Sequence, residues 1–164
     1  MTTTVRPAGE ADLPAILALH NHHILNTLSI WRLQPADLAE RKAWFEGRLA
    51  MGFPVLVADE GGEAVGYASY GPFRTGEGYD RTVENSIYVR QDRQGRGIAR
   101  ALMRALIAEA KAQGRHVMVA GIGLPNEASV RLHAGLGFVE AGRLREVGWK
   151  FGRPLDLLLM QLML

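Results

Sequence analysis

Residues 82–106 read TVENSIYVRQDRQGRGIARALMRAL, and this stretch decides the class of fold. Residues 82–90 carry the apolar side chains Val83, Ile87 and Val89 and predict a β-strand. The glycine turn at residues 94–97 separates this strand from a helix, whose apolar stripe runs to a predicted C-cap at Gly114. The apolar run at residues 117–122 then predicts a buried strand. The sequence therefore predicts a β-turn-α-β unit.

The rest of the chain places strands and helices on both sides of this unit. Apolar spacing, caps and turn residues predict a strand at Thr3–Arg6, a helix with Asp12 as N-cap, a helix opened by Pro35 and closed by Gly52, hairpin strands at Phe53–Ala58 and Ala64–Tyr70, a glycine-rich loop at Gly71–Arg81, a short helix at Asn126–Gly135, and strands at Phe138–Leu144 and Leu155–Leu164. The last segment is apolar on both faces, so we expect it inside the sheet. The fold class is mixed α/β with a central sheet.

The composition fits a single globular domain over residues 1–164. Of these residues 48% are apolar and 22% charged, and no repeat, low-complexity run or Ser/Pro-rich linker divides the chain. A chain of this length buries roughly 70% of its extended surface on folding, which is enough for a core without cross-links. The absence of cysteine excludes disulfides, thiolate nucleophiles and Cys-ligated zinc, and we expect a reducing, cytoplasmic location.

Net charge and the lengths of the apolar segments argue against nucleic-acid partners, secretion and a membrane span. Nineteen Lys and Arg against seventeen Asp and Glu give a formal net charge of +2, which is too small to require a nucleic-acid partner. Residues 1–14 lack the apolar core of a signal peptide. The most apolar stretch, Leu155–Leu164, is much shorter than the roughly 20 residues that a helix needs to cross a bilayer. We expect neither secretion nor a membrane span.

The glycine turn before the long helix is the strongest local signal of a binding site. Glycines allow positive φ and close backbone approach, and the free N–H groups of a first helical turn attract an anion such as a pyrophosphate. The alternative is a plain turn beside solvated arginines, which an isolated GxG pattern also fits. A Walker loop needs Gly-Lys-Ser/Thr and a dinucleotide fingerprint needs GxGxxG with a later acidic residue, and the sequence contains neither here.

The turn resembles a known signature. Gln94, Gly97 and Ala99 match the Gln/Arg-x-x-Gly-x-Gly/Ala pattern of the GNAT superfamily of acetyl-CoA-dependent N-acetyltransferases. The superfamily's second signature is matched by Asn126, Ala128, His133 and Gly137-Phe138. Most members have Tyr in place of His133, and the His variant resembles the phosphinothricin and methionine sulfoximine acetyltransferase branch. The resemblance extends over nearly the whole chain, through Asn26-Thr27, Ile30-Trp31, Gly66-Tyr67-Ala68, residues 83–89, Gly123-Leu124-Pro125-Asn126 and residues 148–152.

The resemblance implies a GNAT fold, with a mixed, mostly antiparallel sheet flanked by helices, and acetyl-CoA as cosubstrate. It implies cofactor contacts from the strand and the turn, at Ile87, Tyr88, Val89, Gln94, Gly95, Arg96, Gly97, Ile98, Ala99 and Arg100, and from Asn126 and Ser129. It implies substrate contacts at Trp31, Phe73, Arg74, Thr75, Gly76, Glu84, Asn85 and Ser86. It also implies a homodimer with active sites near the interface.

Glu84 and His133 are the candidate catalytic residues. An amine must lose a proton to attack a thioester, and Glu84 beside the cofactor strand can accept it; an ordinary solvent-facing carboxylate is the alternative. His133 stands where the superfamily keeps a proton donor for the departing thiolate, so it is an acid or an orienting group, or else a simple hydrogen-bonded helix residue. A backbone N–H near Val89 would stabilise the oxyanion.

The remaining candidates concern the substrate. Arg74 can clamp a carboxylate with two hydrogen bonds, or it is a solvated loop residue. Trp31 and Phe73 would wall the substrate side chain, or they belong to the core. His20 and His23 lie three residues apart, but no further ligand is visibly paired with them, so we expect no metal site.

These observations predict direct acetyl transfer in a ternary complex, since no cysteine is present to carry the acyl group. The predicted acceptor is the α-amine of a small amino-acid-like molecule of the phosphinothricin, methionine sulfoximine or methionine sulfone type. The alternatives are an acetyltransferase of protein N-termini or other amines, and a CoA-binding sensor without catalysis. Trp149 and Phe151, flanked by Gly148 and Gly152, predict a loop that a partner subunit or the substrate covers.

Overall fold

A computed structural model describes residues 2–164. The seven strands are β1 (Thr4–Pro7), β2 (Val55–Glu60), β3 (Glu63–Pro72), β4 (Thr82–Val89), β5 (Val117–Gly123), β6 (Val139–Lys150) and β7 (Arg153–Met163). The four helices are α1 (Leu13–Asn26), α2 (Leu38–Ala50), α3 (Ile98–Ala112) and α4 (Glu127–Ala134). The strands form a single sheet in the order β1-β2-β3-β4-β5-β7-β6.

The sheet is mixed and mostly antiparallel, as predicted. In the described part of the chain β4 and β5 are the only parallel neighbours, and α3 is the crossover between them. The terminal strand β7 lies between β5 and β6, which confirms the interior position predicted from its two apolar faces. None of the helices over residues 2–164 is long and apolar enough to span a bilayer.

Two hydrophobic layers sandwich the sheet. On one face Leu102, Met103 and Leu106 of α3 are fully buried against alternate residues of the strands, Val83 among them. On the other face Ile16 of α1 and Phe45 of α2 pack in the second core cluster. Because side chains alternate along a strand, successive residues of β4 point to opposite layers. This places Glu84 on the α1/α2 face and Asn85 on the α3/α4 face.

The parallel strands β4 and β5 separate after a short contact. Their pairing covers only Thr82–Glu84 against Val117–Val119, although both strands continue beyond it. Past this point β4 keeps its hydrogen bonds to β3, and β5 keeps those to β7. The separation opens a gap through the sheet and leaves backbone groups on the facing edges without a strand partner.

Several boundaries differ from the sequence-based expectations, β2 for example covering Val55–Glu60 instead of Phe53–Ala58. Helix α2 begins at Leu38 instead of Pro35, because the Asp37 side chain caps it by accepting a hydrogen bond from the Glu40 N–H at 2.8 Å. Strand β3 continues through residues 71 and 72, which were expected in a loop. Strand β6 continues to Lys150.

The predicted end of β6 at Leu144 was wrong because the strand contains a bulge. Its register against β7 shifts between Leu144 and Gly148, and Glu146 has a φ of 54°. The irregularity interrupts the alternation of apolar and polar residues from which a strand is predicted. The expected loop over residues 148–152 is instead the end of β6 and a tight turn, in which Phe151 and Gly152 both have positive φ.

Candidate active site

The gap between β4 and β5 opens into a cleft of about 900 Å³ that contacts both layers of the fold. Most of the predicted site residues line it: Trp31, Glu84, Asn85, Ser86, Ile87, Tyr88, Val89, Gln94, Gly95, Gly97, Ile98, Ala99, Arg100, Asn126, Ser129 and His133. The structure does not place Phe73, Arg74, Thr75, Gly76 or Arg96 on the wall of this cleft. Most of the cofactor set and half of the substrate set are therefore brought together.

One end of the cleft has the geometry of an anion site. Gly95 and Gly97 have φ values of 75° and 81°, which explains why glycine occupies both positions of the turn. Gly97 is the N-cap of α3 and offers no side chain to the first helical turn, so the N–H groups there remain available. A Cβ built on either glycine meets nothing within 4 Å, which leaves room for a ligand. Arg100 of α3 also lines the cleft and brings a positive charge, and its guanidinium lies close to Gly135 at the end of α4.

Glu84 lies on the other side of the sheet, facing α1 and α2. Burial raises the pKa of its carboxyl, and the nearby charges of Arg74 and Arg48 lower it to a smaller extent. No described residue forms a hydrogen bond or an ion pair with this carboxylate. A Cβ at Gly121 on β5 would lie 2.9 Å from Glu84 Oε1, so the carboxylate reaches across the gap over a position without a side chain. The arrangement suits a proton acceptor.

His133 lies on the opposite side, in α4, and is 2% exposed. Its Nδ1 is 2.8 Å from the backbone oxygen of Ser129, and its Nε2 is 3.2 Å from Nδ2 of Asn85. A neutral imidazole with its proton on Nδ1 satisfies both contacts, because it donates to the Ser129 oxygen and accepts from the Asn85 amide. Burial lowers the pKa of His133, which favours this neutral form. The ring thus joins α4 to β4 beside the cleft.

Trp31 forms one wall of the cleft. Its indole N–H donates to the Leu28 oxygen at 3.0 Å. The ring packs against two glycines, Gly123 of β5 and Gly148 of β6, and a Cβ at Gly123 would come within 2.6 Å of the indole nitrogen. Both glycines are therefore needed for the indole to lie flat on the strands.

The loop that carries Arg74 lies outside the cleft wall. The Arg74 guanidinium stacks over the Phe73 ring at 5.0 Å, and that ring packs edge-on against Tyr79 at 5.9 Å. Arg74 is nevertheless close enough for its charge to lower the pKa of Glu84. Phe73 belongs to this loop cluster and not to the wall.

Sequence reasoning missed several residues that line the cleft. They are His23 in the last turn of α1, Thr27, Leu28, Ser29 and Ile30 after it, Arg93 before the turn, Gly121, Ile122 and Gly123 on β5, Pro125 after β5, Ala128, Arg131 and Leu132 on α4, and Leu157 on β7. Gly121 and Gly123 carried a usable signal, because glycine inside a buried strand marks a close approach. The others reach the cleft through tertiary packing that no local pattern reveals.

His20 and His23 of α1 each have a protein partner at Nδ1, whereas the buried Nε2 of His23 has none among the described residues. His20 Nδ1 lies 3.1 Å from the Tyr67 hydroxyl, and His23 Nδ1 lies 3.3 Å from the Thr27 hydroxyl. Desolvation lowers the pKa of both, to about 4 for His20. Over residues 2–164 no three His, Asp or Glu side chains are grouped to hold a metal ion. That the protein uses no metal stays a prediction.

Comparisons with known proteins agree with this geometry. The model of the Acetyltransferase (GNAT) family matches residues 17–138. The chain is 53% identical over 163 residues to an L-methionine sulfoximine/L-methionine sulfone acetyltransferase of Pseudomonas paraeruginosa, covering 99% of this chain and 95% of the relative. It is 40% identical over 159 residues to a phosphinothricin N-acetyltransferase of Alcaligenes faecalis, covering 96% and 81% of the two chains.

Solved structures are similar over their whole length. A ribosomal-protein-alanine N-acetyltransferase from Brucella melitensis superposes with a TM-score of 0.97 at 52% identity, covering 98% of this chain and 99% of that one. A putative acetyltransferase from Salmonella typhimurium, solved with its cofactor acetyl-CoA, superposes with a TM-score of 0.97 at 47% identity, covering 99% and 94%. The fold implied by the sequence resemblance is confirmed.

Proposed function

The chain belongs to the GNAT acetyltransferase family, and from that premise we propose that it transfers an acetyl group from acetyl-CoA to the α-amine of a small amino-acid-like molecule. One observation carries the proposal. A single cleft joins an anion-binding turn on one side of the sheet to Glu84, a half-buried carboxylate without a partner, on the other. The names of the relatives point to methionine sulfoximine, methionine sulfone and phosphinothricin as acceptors.

The residues of the cleft fit acetyl-CoA. The turn at Gly95 and Gly97, with Arg100 beside it, would hold the pyrophosphate, because free N–H groups and a helix N-terminus favour negative charge. β5 does not pair with β4 from Ile87 to Val89. This edge of β4 would therefore offer its backbone groups to the pantetheine chain. When bound in this way, acetyl-CoA supplies an activated carbonyl at the gap in the sheet.

Glu84 would act as the general base. Its carboxylate accepts a proton from the ammonium of the acceptor, and the freed nitrogen forms a C–N bond with the acetyl carbon. The C–S bond then breaks, the CoA thiolate leaves with the electron pair, and the new amide nitrogen releases its second proton, which can neutralise the thiolate. A backbone N–H near Val89 stabilises the oxyanion in between. A ternary complex is expected, since the chain contains no cysteine to carry the acetyl group.

We assign His133 the orienting role that the sequence left open beside the acid role. An acid would need a proton on Nε2, yet this nitrogen faces the Asn85 amide, and burial disfavours the charged ring. The neutral ring holds Asn85, the neighbour of Glu84 on β4, and thereby fixes the strand at the gap. This leaves solvent or the acceptor's own ammonium proton to neutralise the thiolate.

On the acceptor side, Trp31 would wall the side chain and Arg74 would bind the carboxylate. Arg74 lies in an exposed loop close to Glu84, so an amino acid can place its amine at one residue and its carboxylate at the other. A protein N-terminus is the second candidate acceptor, because a structural relative at 52% identity is named for ribosomal-protein alanine. A peptide lacks the free α-carboxylate, so the two candidates differ at Arg74.

The experiment is an initial-rate assay of CoA thiol release over a panel of acceptors. The panel contains L-methionine sulfoximine, L-methionine sulfone, L-phosphinothricin, their carboxamides, and a peptide with an N-terminal alanine. We expect the free amino acids to have the highest kcat/KM. A peptide that exceeds them would move the function to protein N-termini. CoA binding without thiol release on any amine would make the protein a sensor.

We also propose that the protein is a homodimer. Trp149 and Phe151 are 64% and 58% exposed, and Val147 on the same hairpin is 54% exposed. Apolar side chains of this size gathered on one hairpin mark an interaction surface, because leaving them in water is unfavourable. A second copy would cover them with the same surface, as a two-fold axis requires.

A further inference from the structure

Lys150 is a buried lysine that none of the steps above uses. It ends β6 and is 1% exposed, and its Nζ lies 4.8 Å from the ring centroid of its neighbour Phe151. Its Nζ donates to three backbone oxygens, those of His23 at 3.4 Å, Thr27 at 2.7 Å and Ile30 at 2.5 Å. No acidic residue shares its charge, and desolvation lowers its pKa.

Burying an ammonium group without a counter-ion is costly unless its donors are satisfied. The three oxygens satisfy them, and they belong to the end of α1 and the segment that follows it. The last carbonyls of a helix have no partner within the helix and carry the negative end of its dipole. The ammonium of Lys150 therefore balances the partial negative charge at the C-terminus of α1. Its hydrogen bonds also hold the residues that follow α1 close to the end of the helix.

The segment tied in this way forms the acceptor side of the cleft. Residues 27–31 all line it, and Leu28 within this segment accepts the hydrogen bond from the Trp31 indole. Gly148, two residues before Lys150 on β6, lies under the Trp31 ring. One strand thus supports the segment twice, by contact with its indole and by hydrogen bonds to its backbone.

We propose that Lys150 is a positioning residue for the acceptor, which holds residues 27–31 in the shape that seats Trp31 against the substrate. The proposal rests on the proposed amine acetylation. Lys150 touches neither the anion-binding turn nor the edge of β4, so it acts on the acceptor and not on acetyl-CoA. Its loss should raise the KM for the amine, since the wall would have to be ordered at each binding event.

The test compares Lys150→Met with wild type. Methionine keeps most of the side-chain volume and removes the donors. We expect the amine KM to rise about tenfold or more, with the acetyl-CoA KM within about twofold of wild type. Hydrogen exchange should become faster over residues 27–31 and stay unchanged over α3. Arg153→Met is the matched control, because it removes an exposed cation three residues away, and it should change none of these quantities.

A second variant guards against loss of folding. Lys150→Gln retains an amide donor and should lie between wild type and Lys150→Met in amine KM. An unchanged amine KM in Lys150→Gln and Lys150→Met would overturn the proposal, as would unchanged exchange over residues 27–31. Equal losses for the amine and for acetyl-CoA would also overturn it, because a general structural role would then suffice. Wild type that acetylates no amine would instead refute the proposed function.

Discussion

At the scale of single residues, Glu84 shows how folding gives an ordinary side chain an unusual setting. The family motif singles out Glu84, but the sequence contains no sign of its burial, which raises the pKa of the carboxyl. Nor does the sequence show that Gly121 of β5 lies beside Oε1 and, having no side chain, leaves space for it. The candidate could be predicted, whereas its environment depends on contacts between distant segments.

Replacing Glu84 with Gln tests the general base. The variant keeps the shape and cannot accept a proton, so kcat should fall about 10²-fold or more. Acetyl-CoA affinity by calorimetry should not change. In wild type, kcat/KM for the amine should rise with pH through the raised pKa of Glu84, because the ionised form is the active one. The variant should lack this rise of kcat/KM with pH. A variant with the wild-type kcat would exclude Glu84 as the base.

Replacing Arg74 with Ala tests recognition of the carboxylate. The change removes a charge-assisted pair that only a free acid can form, so kcat/KM should fall much more for amino acids than for their amides. Arg81→Ala is the control, since this residue is also exposed and follows the same loop. Losses of the same size for acid and amide would show that Arg74 does not bind the carboxylate.

At the scale of elements, the strand, turn and helix at the centre of the sequence behave as their local pattern predicts. The apolar residues Val83, Ile87 and Val89 of β4 and the apolar stripe of α3 are local signals, and the structure follows both. The bulge in β6 was not predictable, because the pairing with β7 and not local preference sets it. The separation of β4 from β5, which makes the cleft, is likewise a property of the whole sheet.

Replacing Gly97 with Val tests the anion site at the N-terminus of α3. The position has a φ of 81° and open space around it, so a side chain would strain the turn and occupy the space that the pyrophosphate needs. The Kd of acetyl-CoA by calorimetry should rise at least about tenfold. Gly114→Val is matched, because it imposes similar strain at the other end of the helix, where φ is 70° and the surroundings are open. If both variants bind acetyl-CoA as wild type does, the turn does not hold the pyrophosphate.

Replacing Gly121 with Ala tests whether the gap between the strands must stay open at Glu84. The added Cβ would lie 2.9 Å from Oε1, and the end of the flexible Glu84 side chain would move away from it. We expect kcat to fall about tenfold or more while thermal stability changes little. Gly142→Ala on β6, where a Cβ meets nothing within 4 Å, should leave kcat unaltered. Wild-type kcat in the Gly121 variant would mean that the carboxylate does not act from this position.

At the scale of the whole molecule, the proposed dimer follows from the exposed apolar surface on the β6–β7 hairpin. Sedimentation at micromolar concentration should give about twice the 18.0 kDa mass of the chain. The double change of Trp149→Asp and Phe151→Asp should shift the protein toward monomer and lower its activity. A wild-type monomer with full activity would refute the dimer, and the two aromatic residues would then serve some other contact.

The class of fold and the family could be predicted from the sequence because their signals are local and nearly continuous along the chain. The position of Lys150 could not be predicted in this way. Its neighbours Trp149 and Phe151 drew attention to the segment, but the three oxygens that hold it lie 120 to 127 positions away in the chain. Long-range contacts of this kind complete the acceptor wall, and only the folded molecule shows them.

Transfer of a labelled acetyl group tests the proposed function most directly. The protein is incubated with acetyl-CoA carrying an isotope label in its acetyl group and with L-methionine sulfoximine, and the products are followed by NMR. We predict that the label moves to the α-nitrogen of the amino acid, with one CoA thiol released for each acetyl transferred, and that Glu84→Gln slows this transfer at unchanged acetyl-CoA occupancy. Label that stays on CoA, or thiol release that yields only free acetate, would contradict the proposed function.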